Sequence, residues 1–240
     1  MEELMRNATG TTPRRGFFRR IAGAMALGLA GFAPDPSRAQ SAAARTGGPD
    51  WPGQLKGRHR QLVDAYEINK GAPLAFAHTF LVTSEPATSE LPTANVVAAT
   101  AVVVLRHNAF PLALGDEMWR KYKIGEAFKI DDPETKAPAV RNPFLHPKAG
   151  VLPDGMAIDL LLAGGTVFGA CHVALLIQSK MLAGNAGVSA EDAVDEWTAN
   201  LIPGITILPS GVWGVNRAQE AGCTYCAGGL AGAGRLQVHR

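Results

Sequence analysis

The chain has 240 residues, 47% of them hydrophobic, and its 23 Lys and Arg outnumber its 21 Asp and Glu to give a formal net charge of +2. This composition is typical of a globular protein that is long enough to bury a sizeable core. Four of the arginines lie within residues 14–20 and no basic stripe follows them, so we expect no nucleic-acid partner.

Residues 1–39 are typical of a twin-arginine signal peptide. Arg14 and Arg15 are followed by Gly-Phe-Phe-Arg and then by an uncharged apolar stretch from Ile21 to Ala33. That stretch is shorter than the roughly 20 residues of a membrane span, and Ser37-Arg38-Ala39 offers a signal-peptidase site. We expect export by the twin-arginine translocase, a periplasmic mature protein and no stable membrane insertion. A cytosolic protein with a basic tail is the alternative.

The remaining chain is the length of one domain. Residues 40–57 are rich in Ala, Gly and Pro without periodicity, which predicts a flexible leader. The domain itself is expected over residues 58–228, and residues 229–240 are expected to form a disordered tail.

The first half of the domain predicts two strands, two helices and a long excursion. Residues 96–105 form a nearly unbroken run of small apolar and β-branched residues, which is typical of a strand buried on both faces of a parallel sheet. The other predicted elements are a strand at 60–65, a helix beginning at Pro73, a helix at 111–123 and an irregular excursion at 125–150 with four prolines.

The second half predicts strands and helices in alternation. The expected elements are a helix at 157–163, a strand at 166–170, a helix at 172–182, a helix capped by Ser189, a strand at 205–208 and a helix at 212–220. Alternation of this kind predicts an α/β fold, with a mainly parallel sheet and helices on both faces.

Cys171 is the leading candidate for chemistry. It stands where a predicted strand turns into a helix, at the carboxyl edge of the sheet, where open α/β sheets bind ligands. The positive end of a helix dipole favours a thiolate, which is the nucleophilic form of cysteine. An inert buried cysteine is the alternative, since cysteine is common in cores.

Four further residues are candidate site residues. Arg106 and His107 follow the central strand at the same edge of the sheet as Cys171, and His107 is able to take a proton near neutral pH. Ser210 lies in the turn after the strand at 205–208, and Arg141 of the excursion is placed to bring a cation to a cleft. A structural loop histidine and an ordinary surface arginine are the alternatives for His107 and Arg141.

Cys223 and Cys226 form a Cys-x-x-Cys pair near the end of the chain. Such a pair can close a small disulfide, act as a redox pair or supply half of a metal site, and a full zinc site needs about four ligands. Three cysteines in all leave at least one thiol free or paired between chains. No hydrolase, phosphate-loop or dinucleotide motif is present, so we predict neither a cofactor nor a metal.

The chain resembles the DsrE/DsrF-like sulfur-relay family. The resemblance lies in Thr166-Val-Phe-Gly-Ala-Cys171 and its following apolar helix, in Pro203-Gly-Ile-Thr-Ile-Leu-Pro-Ser-Gly-Val-Trp213, in the Gln- and Gly-containing helix at 217–222, and in the strand Val102-Val-Val-Leu-Arg-His107. It covers about residues 58–226. The chain is still more similar to exported members that have twin-arginine signals and a terminal Cys-Thr-Tyr-Cys.

The resemblance implies flavodoxin-like layering, homo-oligomers and a cysteine that carries sulfur as a persulfide, which falls on Cys171. The leading hypothesis is therefore a periplasmic protein that handles sulfane sulfur or thiol redox chemistry with a sulfur donor or acceptor. In it His107 neighbours Cys171, and Cys223 with Cys226 forms a structural or resolving disulfide. A non-catalytic module that binds a small ligand or metal, and an oligomeric partner of another exported protein, are the alternatives.

Overall fold

A computed structural model of the chain describes residues 51–84, 99–148 and 152–229. The predicted signal peptide, residues 40–50 of the predicted leader and residues 230–240 of the predicted tail lie outside the described residues. No helix in the described part of the chain is long and apolar enough to cross a membrane.

In the part of the chain that the structure describes, five parallel strands form a single sheet in the order β4-β3-β2-β1-β5. The central strand β2 is buried at six of its seven positions, which explains its run of small and β-branched side chains. Its neighbours stay in register through Val63 opposite Val103 and Val103 opposite Phe168. The strands are β1 (His59–Ala65), β2 (Ala99–Leu105), β3 (Val167–Cys171), β4 (Ile205–Leu208) and β5 (Thr224–Ala227).

Seven α-helices and three short 3-10 helices connect the strands in the described residues. The α-helices are α1 (Ala72–Thr83), α2 (Asp116–Lys121), α3 (Ile124–Phe128), α4 (Ile158–Ala163), α5 (His172–Ala186), α6 (Ala190–Ala199) and α7 (Gly211–Glu220). The 3-10 helices are Trp51–Gln54, Asn69–Gly71 and His107–Ala113.

The strand order decides which face each helix covers. From β1 to β4 the chain moves one strand at a time in one direction, and right-handed crossovers then place the intervening helices on one face. The return from β4 to β5 runs the opposite way, so α7 covers the other face. Two apolar clusters follow, a larger one containing Val63 and Val103 and a smaller one containing Leu62 and Val102. The predicted α/β fold with helices on both faces is confirmed.

Two predicted boundaries are wrong. The helix predicted at 111–123 is instead a 3-10 helix to Ala113 followed by α2 from Asp116, because Pro111 sits inside the first piece and lacks an N–H. The leader predicted for residues 40–57 is packed at its end, since Trp51 and Leu55 are buried in the smaller cluster beneath α7.

The excursion after α2 is anchored by close backbone packing. It begins with α3, and an isolated bridge then joins Asp131 to Pro138. A side-chain carbon at Gly125 would lie 2.3 Å from the Ala139 carbonyl oxygen and 2.4 Å from its nitrogen. Only glycine therefore allows α3 and the returning strand of the excursion to approach so closely.

Gly125→Ala should lower the free energy of unfolding by about 2 kcal/mol, because the obstructing atoms are backbone and cannot rotate away. Gly184→Ala is the matched control, since Gly184 lies in α5 with no atom within 4 Å of an added carbon. It should raise stability by roughly 0.5–1 kcal/mol, because alanine favours helix over the unfolded chain. Urea denaturation measures both, and equal effects of the two changes would contradict the packing argument.

A polar cluster joins α2 to α6 beside the aromatic core. Lys121 Nζ donates to both carboxylate oxygens of Glu196 at 2.6 and 2.7 Å, and the Tyr122 hydroxyl donates to Glu196 Oε2 at 2.7 Å. The hydrogen bond from Lys121 and that from Tyr122 lower the pKa of Glu196 below its usual 4.5, although burial opposes them. Burial, together with the same hydrogen bond, raises the pKa of Tyr122 well above its usual value.

Stability should therefore depend on pH through Glu196. A carboxyl group whose pKa is lower in the folded state stabilises the fold above its unfolded pKa, and that contribution is lost as pH falls through the folded pKa. Between about pH 6 and about pH 3 the wild type should lose more unfolding free energy than Glu196→Gln, as measured by urea titration at each pH. Glu191→Gln, at an exposed position of the same helix, should titrate like the wild type. If the unfolding free energies of the wild type and Glu196→Gln changed with pH in the same way, the assignment of this pH dependence to Glu196 would be contradicted.

Candidate functional site

The strand order predicts a crevice at the carboxyl edge of the sheet, between β3 and β4. The chain leaves β3 into α5 on one face and leaves β4 into α7 on the other face, so the two loops separate at this point. Such a switch point is where open α/β sheets bind ligands. Cys171 caps the N-terminus of α5 and Ser210 caps that of α7, so both flank the crevice.

Cys171 is the last residue of β3, and its side chain caps the N-terminus of α5. Its Sγ accepts a hydrogen bond from the Ala174 backbone N–H at 3.4 Å, and the residue is only 6% exposed. The sulfur therefore lies at the positive end of the dipole of a 15-residue helix. The predicted position of Cys171 is confirmed, and its reactivity stays a prediction.

Arg106 lies beside Cys171 and is held by a buried carboxylate. Its Nε and Nη2 donate to Asp64 Oδ1 and Oδ2 at 2.6 and 2.9 Å, and the Tyr225 hydroxyl donates to Asp64 Oδ2 at 2.9 Å. The hydrogen bond with Asp64 raises the pKa of Arg106 against the effect of burial, and the negative charge of Asp64 raises it further. Arg106 therefore stays cationic. It directly follows Leu105, which pairs with Ala170, the residue before Cys171.

The start of α7 is shaped to admit the Arg106 side chain. A side-chain carbon at Gly211 would lie 2.4 Å from Arg106 Cβ, so a glycine lets the arginine cross the first turn of the helix. Ser210 Oγ accepts the Trp213 backbone N–H at 3.1 Å, which makes Ser210 a helix cap. A ligand-binding role for Ser210 stays a prediction.

His107 is exposed and lies directly after Arg106. Its backbone has a φ of 45°, an uncommon value for a residue other than glycine. The side-chain amide of Gln178, buried in α5, donates to the His107 carbonyl oxygen at 2.6 Å and holds this turn in place. The helix that Cys171 caps thus also positions the loop that carries His107. Next to Cys171, burial lowers the pKa of His172, so this ring is neutral at pH 7.

An open cleft of about 240 Å³ lies at the ends of β1 and β2, lined by Tyr66, Glu67, Arg106 and His107. Tyr66, Glu67 and the buried Gln178 were not among the site residues predicted from the sequence. Tyr66 and Glu67 directly follow β1, and the carboxyl ends of neighbouring parallel strands meet at one edge. Their position directly after a predicted strand is the sequence feature from which these two site residues could have been predicted.

Cys223 and Cys226, for which the sequence left a disulfide, a redox pair and half of a metal site open, are both free cysteines in this structure. Cys223 directly precedes β5 and packs in the cluster under α7, whereas Cys226 lies in β5 and packs against the opposite cluster. Three residues of extended chain separate their Cα atoms by about 10 Å, and a disulfide requires less than about 7 Å. Burial raises the pKa of both thiols, so each stays protonated at neutral pH.

Cys226 is also too far from Cys171 to act as its resolving cysteine within one chain. Their strands, β3 and β5, are separated by β2 and β1, which amounts to three strand spacings or about 14 Å. In the described part of the chain, no group of three or more His, Cys, Asp or Glu side chains is placed to hold a metal ion.

Arg141 lies in the excursion and is engaged there. Its guanidinium pairs with Asp132 at 3.2 Å and with Glu134 at 3.4 Å, and Glu134 also pairs with Lys148. The pKa of Asp132 is lowered despite its burial by backbone N–H groups of Glu134 and Thr135 and by the charge of Arg141. Arg141 therefore stabilises its own loop through these ion pairs, and the structure does not bring it to the cleft at Arg106.

Comparison of the chain with protein-family models, with curated proteins and with solved structures found no match. The resemblance to the DsrE/DsrF-like family therefore stays a prediction.

Arg106→Met should lower the free energy of unfolding by about 3–5 kcal/mol, because it leaves the 3%-exposed Asp64 carboxylate buried without its cation. The double variant Asp64→Asn with Arg106→Met should recover most of that loss, since no charge is then buried. Arg217→Met removes an exposed ion pair with Glu220 and should cost less than about 1 kcal/mol. Urea denaturation of these variants and of Asp64→Asn alone tests this, and additive single effects would contradict coupling between Asp64 and Arg106.

Proposed function

We propose that the protein accepts sulfane sulfur on Cys171 and holds it as a persulfide. The observation that carries this proposal is the placement of the Cys171 sulfur at the N-terminus of α5, where it accepts a backbone N–H at the end of the strand next to the one that Arg106 follows. Both neighbours favour the anionic sulfur that attacks a donor, and both favour the anionic persulfide that results. Neither of the other two thiols caps a helix, and burial raises the pKa of each, for Cys223 against the opposing charge of Arg60.

The proposed step needs only a donor of the polysulfide or persulfide class. The Cys171 thiolate attacks the outer sulfur of the donor and forms a new S–S bond, while the donor's own S–S bond breaks. The electron pair of the broken bond leaves with the shortened donor as its thiolate, so no outside oxidant or reductant takes part. Cys171 is only 6% exposed, which favours a small donor over a bulky one.

The resemblance to the DsrE/DsrF-like family favours the same function. On this proposal the predicted twin-arginine signal directs the protein to the periplasm, where the reaction takes place. On this proposal the mature protein assembles into homo-oligomers and passes its sulfur to a separate acceptor.

A second candidate is a binding module without turnover, and the cleft at Tyr66 and His107 is the observation that favours it. In that case a small ligand occupies the cleft and Cys171 remains an unmodified helix cap.

The test is the intact mass of the mature protein after incubation with inorganic polysulfide, with and without alkylation. The wild type should gain one sulfur atom that reductant removes, peptide mapping should place it on Cys171, and Cys171→Ser should gain none. Cys226→Ser is the matched control and should load like the wild type, because its thiol is the more exposed of the other two. Loading that is unchanged in Cys171→Ser, or an unreactive Cys171 in folded protein, would overturn the proposal and leave the binding module.

A further inference from the structure

The cleft at the ends of β1 and β2 presents charges of both signs. Glu67 lines one part of it, and its Oε1 accepts a hydrogen bond from Asn108 Nδ2 at 2.8 Å. Among the described residues its other oxygen, Oε2, has no such partner. Arg106 lines another part of the cleft. Asp64 takes its Nε and Nη2, and among the described residues no hydrogen-bond partner engages its Nη1.

The cationic group is held in a fixed place before any ligand arrives. Asp64 grips two of the three nitrogens of the Arg106 guanidinium, and the Tyr66 ring lies under it with 5.5 Å between the guanidinium carbon and the ring centre. A side chain that is already ordered loses little conformational freedom on binding. Nη1 of Arg106 is therefore a fixed anion-binding group beside the acidic Glu67.

Size and charge together define the ligand. The volume of about 240 Å³ is below the range typical of drug-sized ligands, so the cleft suits a molecule the size of a single amino acid. A purely anionic ligand is attracted by Arg106 but repelled by Glu67. A purely cationic ligand is attracted by Glu67 but repelled by Arg106. A zwitterion satisfies both groups.

We propose that the natural sulfur donor is the persulfide of a small α-amino acid, with cysteine hydropersulfide the simplest case. Its ammonium group pairs with Glu67 and its carboxylate with Nη1 of Arg106, which leaves the sulfur end free to reach Cys171. This assignment rests on the proposed function. The Cys171 thiolate takes the outer sulfur, the S–S bond of the donor breaks, and cysteine leaves as its thiolate, which takes a proton from water or from His107 at the cleft.

Binding without chemistry is the first measurement. Calorimetry on Cys171→Ser compares cysteine with 3-mercaptopropionate, which lacks the ammonium group, and with cysteamine, which lacks the carboxylate. We expect cysteine to bind about fivefold or more tightly than either, which is the value of one partly exposed ion pair. Adding Glu67→Gln should remove the preference over 3-mercaptopropionate, whereas adding Glu191→Gln on α6 should leave it intact. Equal affinities for the three thiols would overturn the proposal.

Loading of Cys171 by two donors is the second measurement. In Glu67→Gln the rate with cysteine hydropersulfide should fall about fivefold, while the rate with inorganic polysulfide should rise because the dianion loses a repulsive neighbour. If polysulfide loads Cys171 but both donors respond alike to Glu67→Gln, sulfur acceptance stands and the amino-acid donor is overturned. If neither donor loads Cys171 yet Cys171→Ser prefers cysteine, the cleft is an amino-acid site and the sulfur-accepting function fails instead.

Discussion

The ion pair between Asp64 and Arg106 joins most of the elements around the site. It links the ends of β1 and β2, reaches β5 through the Tyr225 hydroxyl, and lies against the first turn of α7 at Gly211. A carboxylate as buried as Asp64 would lower the free energy of unfolding by several kcal/mol if it were unpaired. Loss of either partner therefore destabilises this edge of the sheet. This constraint fixes Arg106 beside Cys171 whether or not a ligand is present.

The topology of the sheet determines where the N-termini of α5 and α7 lie. Because β3 and β4 send their helices to opposite faces, the N-termini of α5 and α7 flank one crevice, and the positive ends of both helix dipoles lie at the same edge of the sheet. Arg106 adds a full charge to these partial ones. Asp64 and Glu67 offset that charge, so this edge of the sheet carries charges of both signs.

Much of the fold could be predicted because its buried strands are continuous runs of apolar residues in the sequence. The apolar segment before Arg106 and the turn at Cys171 are local patterns whose positions depend on few distant contacts. The missed features depend on tertiary packing. β5 is short and mostly exposed, so its sequence looks like a loop. The burial of Trp51 requires α7 to cover it, and the placement of Glu67 opposite Arg106 across a cleft requires the register of β1 against β2. No local pattern encodes either contact.

The separation of the cysteines restricts the chemistry more than their number does. All three lie in the described part of the chain. Cys223 and Cys226 pack against opposite clusters, and Cys171 lies on β3, which three strand spacings, or about 14 Å, separate from β5. A persulfide formed on Cys171 therefore meets no second thiol of its own chain that could release the sulfur as sulfide and close a disulfide. Its sulfur must leave to another molecule, small enough for the cleft or docked at its mouth. The geometry thus favours a carrier of sulfur over a dithiol oxidoreductase.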